Sequence, residues 1–249
     1  MASLRPEIIS HVGGFPITNS FVTTILVDIV IFSLIFAFSR RKALVPVGVQ
    51  SAFEPIIEYL YDLSSQIAGS KIKTIFPWFA SFFFFIVFAN LIALLPGFGS
   101  IGFWETITEH GESKRELIPL FRAATSDFNV TLALGTISIV ATHAIAIHYN
   151  GLIGYAKKFL SLNPIYLFIG LLEFALELVK IFSLSFRLFG NIFAGEVVLA
   201  TVAGLFAFIA PIPFLLLEVI VAVVQSLVFA MLTMVFMSLL ATTSHEGGH

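Results

Sequence analysis

The chain has 249 residues, of which 58% are apolar and 11% are charged, against about a quarter charged in an ordinary soluble protein. Runs of about 20 apolar residues, enough to cross a bilayer, exclude a soluble globular domain and predict a single all-α, polytopic membrane domain over 1–249. The lack of cysteine excludes disulfides and thiolate metal sites, and a net charge of −2 gives no reason to expect nucleic acid.

A first membrane-crossing helix is predicted at 20–39, directly before the basic residues 40–42. The segment 48–68 is different, because its apolar residues recur on one helical face, opposite a face that carries Glu54 and Glu58. That pattern is typical of an amphipathic helix on the membrane surface. Its acidic polar face fits a solvent-facing helix packed on other protein equally well.

Two further crossing helices are predicted at 75–96 and 127–148, joined by a charged loop. The segment 164–242 is almost continuously apolar and is interrupted by prolines at 211 and 213. Its two arms are longer than the ~30 Å hydrocarbon core requires, so they must be tilted or kinked, with the glycines at 190 and 195 as candidate bends. The predicted fold has about five crossing helices, one surface helix and a C-terminal hairpin of two long tilted helices.

Loop charges predict the orientation of these helices. If 48–68 does not cross, Lys71, Lys73, Lys157 and Lys158 lie on the same side as the basic residues 40–42. The loop on the opposite side contains four glutamates, which offset the charge of its basic residues. Because basic loops stay in the cytoplasm, the N-terminus is predicted to be outside and the C-terminus inside.

One permanent cation, Arg187, stands in the middle of a long apolar stretch. Arginine does not lose its proton in proteins, so its cost at membrane depth is at least about 3 kcal/mol. A chain rarely carries that cost for packing alone. Since no opposite charge is adjacent in sequence, the partner of Arg187 is expected elsewhere, on this chain or on another subunit.

Helical spacing and depth sort the other polar residues around Arg187. Asn191 shares its stripe, and Gln225 is expected at a similar depth on the second arm of the hairpin. The outer group comprises Asn90, Asp127, Asn129, Glu196 and Glu218, and the inner group comprises Glu173, Glu177, Lys180 and His143. Glu196 and Glu218 would repel as anions, so one of them is expected to hold a proton. Two polar half-pathways divided by a fixed cation are typical of a proton conductor that does not leak.

Simpler structural roles stay open for some of these residues. An intrahelical ion pair with Lys180 explains Glu173 or Glu177 about as well as proton transfer does. A hydrogen bond to a neighbouring helix explains Asn90. No role is assigned to three titratable residues: Asp28, His143 and His148.

Several motifs resemble subunit a of F-type ATP synthases. They are RLFGN at 187–191, AGE at 194–196, and Glu218 seven residues before Gln225. The segments that begin at Asn90 and Asp127 are also similar, so the resemblance covers about 75–242. In many relatives one of the two acidic positions is histidine, whereas here both are glutamate.

The resemblance implies that Arg187 faces the ring of c subunits and keeps two half-channels apart, while Glu196, Glu218, Asn191 and Gln225 line or support the outer one. It also implies peripheral-stalk b subunits and the rest of the ATP synthase as partners, in a membrane of bacterial plasma-membrane type. No cofactor is implied. Because the chain has no Gly-x4-Gly-Lys-Ser/Thr motif, ATP chemistry is expected to belong to its partners.

Two other function classes remain alternatives at this stage. A stand-alone proton-coupled permease would show repeated halves around a midplane site, and no internal repeat is visible. An ion channel would need several polar spans that line a pore. Co-purification distinguishes these alternatives, because a permease stands alone, whereas the synthase subunit comes with its ring and stalk.

Overall fold

The computed structural model describes residues 6–40, 48–95, 97–109, 112–159, 164–205 and 211–242. Within these ranges the chain is mostly helical. The long helices are α1 (Asn19–Arg40), α2 (Val49–Ala68), α3 (Ile72–Ala93), α4 (Phe128–Phe159), α5 (Pro164–Leu205) and α6 (Pro211–Ala241). The strands are β1 (Ile8–Val12), β2 (Phe15–Thr18), β3 (Gly102–Glu109) and β4 (Glu112–Pro119).

The helical elements lie close to the predicted ones, which confirms a mainly α-helical membrane protein. In the described part of the chain, four segments are long and apolar enough to cross a membrane: Asn19–Phe38, Phe53–Ala93, Phe128–Ala156 and Pro211–Ala241. The second of these segments covers most of α2 and the whole of α3. The count of five crossings, the surface position of α2 and the tilted hairpin stay predictions.

Neither of the two candidate bends, Gly190 and Gly195, interrupts its helix. α5 continues as helix through both Gly190 and Gly195. The interruption lies instead in α4, where Gly151 has φ 70° and ψ 160°. A positive φ of this kind is favourable only for glycine. The predicted span 127–148 therefore corresponds to the part of α4 before this kink, and the helical residues after it were not predicted.

Both β-hairpins lie in segments for which the sequence predicted no structure. β1 pairs antiparallel with β2, and β3 pairs antiparallel with β4 from Gly102 opposite Pro119 to Glu109 opposite Glu112. A side chain at Gly102 would overlap the backbone carbonyl of Ile118, so this end of the second hairpin requires a glycine. The second hairpin occupies the charged loop between α3 and α4.

The described chain divides into two compact units. The first comprises Met1–Ala37, Phe84–Thr131 and Leu188–Ser226, and the second comprises Phe38–Phe83, Leu132–Arg187 and Leu227–His249. In the first unit Val27, Ala89 and Ala124 are fully buried, and Phe85 and Phe88 pack against them. The segment from Arg122 to Asp127 is buried throughout, although most of its side chains are polar or charged.

The second unit has its own core. Phe82 and Phe229 pack with their ring centroids 5.6 Å apart, and Phe79 is fully buried. A Cβ on Gly135 would lie 2.9 Å from the backbone oxygen of Ile181, so α4 and α5 approach each other closely at this glycine. These contacts hold the lower-numbered half of α5 against α4.

Candidate functional site

The two predicted carboxylates, Glu196 and Glu218, meet in the first unit. Glu196 lies on α5 and Glu218 on α6, where its side chain is only 7% exposed. The carboxylate of Glu218 occupies the space that a Cβ on Gly195 would fill. Glycine at this position therefore lets the Glu218 carboxylate reach α5 directly beside Glu196.

Arg122 is the charged partner of Glu196. Its Nη2 lies 3.6 Å from Oε2 of Glu196, and its side chain is 9% exposed. Its Nε donates a hydrogen bond to Ser126 Oγ at 3.0 Å. The Glu196 carboxylate also faces Ser126 and the backbone of Ala123. This role was not predicted, because Arg122 lies among the basic residues of the charged loop that the sequence places on the outer side.

A cavity of about 300 Å³ opens beside these carboxylates. Its polar lining comes from Asn90, Glu196 and Glu218, and the rest is mainly apolar. The side-chain oxygen of Asn90 accepts a hydrogen bond from Thr125. Its Nδ2 has no hydrogen-bond partner among the described residues. A cavity of this size that contains two carboxylates and an unsatisfied donor can hold several water molecules, and water next to carboxylates can transfer protons.

Asn191 and Gln225 form a direct hydrogen bond across α5 and α6. The Asn191 Nδ2 donates to Gln225 Oε1 at 2.7 Å. Gln225 is 5% exposed, and within the described ranges its Nε2 has no partner. Asn191 is exposed. This hydrogen bond thus links the buried side chain of Gln225 to Asn191 on the exposed face of α5.

Asp127 is placed differently from the other predicted residues of the outer group. It directly precedes α4, and its Oδ1 accepts a hydrogen bond from the backbone N–H of Asn129 at 2.9 Å. Its Oδ2 accepts one from Ser20 Oγ at 2.6 Å. The first contact is that of a helix-capping residue, and the second joins Asp127 to α1. Asp127 does not line the cavity described above, and its part in proton transfer stays a prediction.

The inner candidates lie in the second unit. Glu177 is 3% exposed, and its Oε1 accepts a hydrogen bond from Lys180 Nζ at 2.6 Å. The ion pair left open by the sequence is therefore present for Glu177. Glu173 is half-buried. His143 Nδ1 lies 2.9 Å from Tyr155 Oη, a partner that follows the kink in α4 and was not predicted.

Arg187 also belongs to the second unit, as its last residue on α5. Its side chain is exposed, whereas Leu184 and Leu188 on either side of it are buried. An exposed guanidinium on an apolar helix face can contact a carboxylate supplied by another protein. This residue was predicted as functional from its charge within an apolar stretch.

Comparison with known proteins identifies the family. The family described as ATP synthase A chain matches residues 20–238. The chain belongs to this family.

Individual relatives agree with the family assignment. A protein named "ATP synthase subunit a" from Moorella thermoacetica is 30% identical over 238 residues, which cover 96% of this chain and 97% of the relative. A protein of the same name from Legionella pneumophila strain Corby is 28% identical over 228 residues, which cover 91% and 88% respectively. The resemblance drawn from RLFGN and the later acidic positions is confirmed.

Of the nine predicted site residues of this family member, six lie in the first unit. They are Asn90, Asp127, Asn191, Glu196, Glu218 and Gln225. The cavity brings three of them together, and a hydrogen bond joins Asn191 to Gln225. The other three, Glu173, Glu177 and Arg187, lie in the second unit.

Replacement of Gly195 with alanine tests the fit of Glu218 against α5. The added methyl overlaps the Glu218 carboxylate, which is the mobile end of a side chain, so we expect this group to move while the helices stay in place. Passive proton flux through vesicles stripped of the catalytic head should fall several-fold with normal subunit assembly. Gly190→Ala is the matched control, because a Cβ there meets nothing within 4 Å. Equal flux in both variants would contradict the proposed fit.

Proposed function

We propose that this chain is the proton-channel subunit of a rotary F-type ATP synthase, and that it loads and unloads protons on a ring of c subunits through two half-channels. The observation that carries the proposal is the meeting of two membrane carboxylates, Glu196 and Glu218, at one polar cavity. Membership of the ATP synthase A chain family supports it. The subunit performs no ATP chemistry itself.

The outer half-channel is proposed to run through the cavity of the first unit. A proton from the outer side passes through water to the carboxylates Glu196 and Glu218. It then leaves along the open face of α5, where the exposed Asn191 is held by the buried Gln225. The proton finally neutralises a carboxylate of the ring, which can then move into lipid at low cost.

Arg187 is proposed to separate the two half-channels. Its exposed guanidinium stays charged, so it attracts each deprotonated ring carboxylate and repels a proton that would pass directly. The inner half-channel is proposed to use Glu173 and Glu177 of the second unit as proton acceptors. Each charge that crosses gains about 2.3 kcal/mol per 100 mV of membrane potential.

The proposed partners are the c-subunit ring, the peripheral-stalk b subunits, the rest of the ATP synthase, and lipid. The two relatives come from bacteria, which supports a location in a bacterial plasma membrane. A tagged copy extracted in mild detergent should bring a c-ring and stalk subunits with it. Purification as a single chain from intact membranes would instead favour a stand-alone permease.

The orientation of the chain is open to direct labelling. We propose that the N-terminus is outside, so a cysteine at position 113 in β4 faces the outer solution, and one at the exposed Ser70 faces the cytoplasm. Serine-to-cysteine changes keep nearly the same side-chain size, and the chain has no other cysteine. An impermeant thiol reagent added to intact cells should label Ser113→Cys only. Inverted vesicles should show labelling of Ser70→Cys only, and the reverse pattern would overturn the orientation.

A further inference from the structure

Arg122 is a buried cation that the proposed channel does not yet use. It precedes a wholly buried segment, Ala123 to Asp127, and its side chain is 9% exposed. Its backbone N–H donates to Thr23 Oγ1 at 3.1 Å, and its Nε donates to Ser126 Oγ at 3.0 Å. The first contact anchors the backbone of Arg122, and the second holds its guanidinium. Such a placement is costly for a charge unless the charge has a function or a partner.

Among the described residues, the carboxylate that pairs with this cation is that of Glu196. Arg122 Nη2 lies 3.6 Å from Glu196 Oε2. At that separation the two groups attract each other as opposite charges. Glu218 lies instead against Gly195 of α5. The two glutamates are therefore not equivalent.

We propose that Arg122 is a positioning residue that holds Glu196 as the fixed anion of the pair, so that Glu218 carries the proton in transit. This inference rests on the proposed channel function. A buried cation beside Glu196 favours its ionised form, and an ionised Glu196 in turn favours a neutral, protonated Glu218. The proton moves from cavity water to Glu218 and onward to the ring carboxylate, while Glu196 keeps its charge throughout.

The test uses passive proton flux through membrane vesicles that contain the whole complex, stripped of its catalytic head and normalised to the amount of assembled subunit. Arg122→Gln removes the charge and should lower the flux by about tenfold. Arg122→Lys keeps the charge and should restore most of the flux. Arg115→Gln is the matched control, because it removes a cation of the same loop region from β4 and should leave the flux unchanged.

A second measurement separates a charge role from a merely structural one. If Arg122 acts through Glu196, then Arg122→Gln should add no further loss of flux to Glu196→Gln, and the double variant should assemble at least as well as either single one. Either single change leaves one buried charge without its counter-charge, whereas the double change removes both.

The outcomes distinguish this inference from the proposed function. Normal flux in Arg122→Gln, alongside reduced flux in the glutamate variants, would overturn the inference and leave the channel intact. Flux that falls equally in Arg122→Gln and Arg122→Lys, or losses that simply add in the double variant, would show that Arg122 only supports the fold. Normal flux when both glutamates are replaced would overturn the channel proposal itself.

Discussion

Arg187→Ala is expected to abolish ATP-driven proton pumping and coupled synthesis while the complex still assembles. The side chain is exposed on α5, so its truncation leaves no cavity in the core of the second unit. The substitution removes the fixed positive charge that attracts each ring carboxylate and keeps the two half-channels apart. Proton pumping in inverted membrane vesicles, driven by added ATP, measures the effect.

A matched cation elsewhere on the chain serves as the control. Lys71 is half-buried and donates a hydrogen bond to Thr242 Oγ1 at 3.2 Å in the second unit. Lys71→Ala removes the same charge but should leave pumping unchanged. Subunit content in the same vesicles shows whether assembly is preserved. If Arg187→Ala pumps at the normal rate, Arg187 is not the barrier between the half-channels.

The paired replacement Glu196→Gln with Glu218→Gln is expected to have the second large effect. Glutamine keeps the shape and hydrogen-bonding capacity of glutamate but exchanges no proton. With both carboxylates gone, passive proton flux should fall by about 1,000-fold, which is more than the product of the two single losses and within the range of a positioned proton-transfer group. Each single change should reduce it by about tenfold, because the remaining carboxylate partly substitutes for the one that is lost.

A histidine replacement tests the proton-exchanging role of Glu218. Histidine at this position still exchanges a proton near neutral pH, so it should conduct better than leucine there. The two sites should interact non-additively, because they share one cavity. A double glutamine variant that conducts like the native protein would exclude these residues from the proton path.

The helices were predictable from sequence because each depends on a local run of apolar residues. The first predicted span, 20–39, agrees with α1 to within one residue at each end. The family motifs also placed Glu196, Glu218 and Gln225 on α5 and α6. These positions follow from helical spacing and chain order, which need no tertiary information.

The hairpins and the partner of Glu196 were not predictable in the same way. β3 and β4 carry charged residues along their length, so no apolar alternation reveals them as strands. Arg122 looked like any basic residue of an outer loop. Its burial depends on how the segment up to Asp127 packs against α1 and α3 within the first unit, and this packing is not visible in a single sequence.

The kink at Gly151 determines which side chains can meet in the second unit. His143 and Tyr155 are twelve residues apart, which on a straight helix is about 18 Å, yet their polar atoms lie 2.9 Å apart. The left-handed torsion of Gly151, with φ 70°, turns the chain back and makes this contact reachable. Two residues that a straight helix would keep apart are thus brought into contact by the backbone torsion of Gly151. Gly151 has no side chain of its own, but its backbone conformation decides which polar side chains of the second unit come into contact.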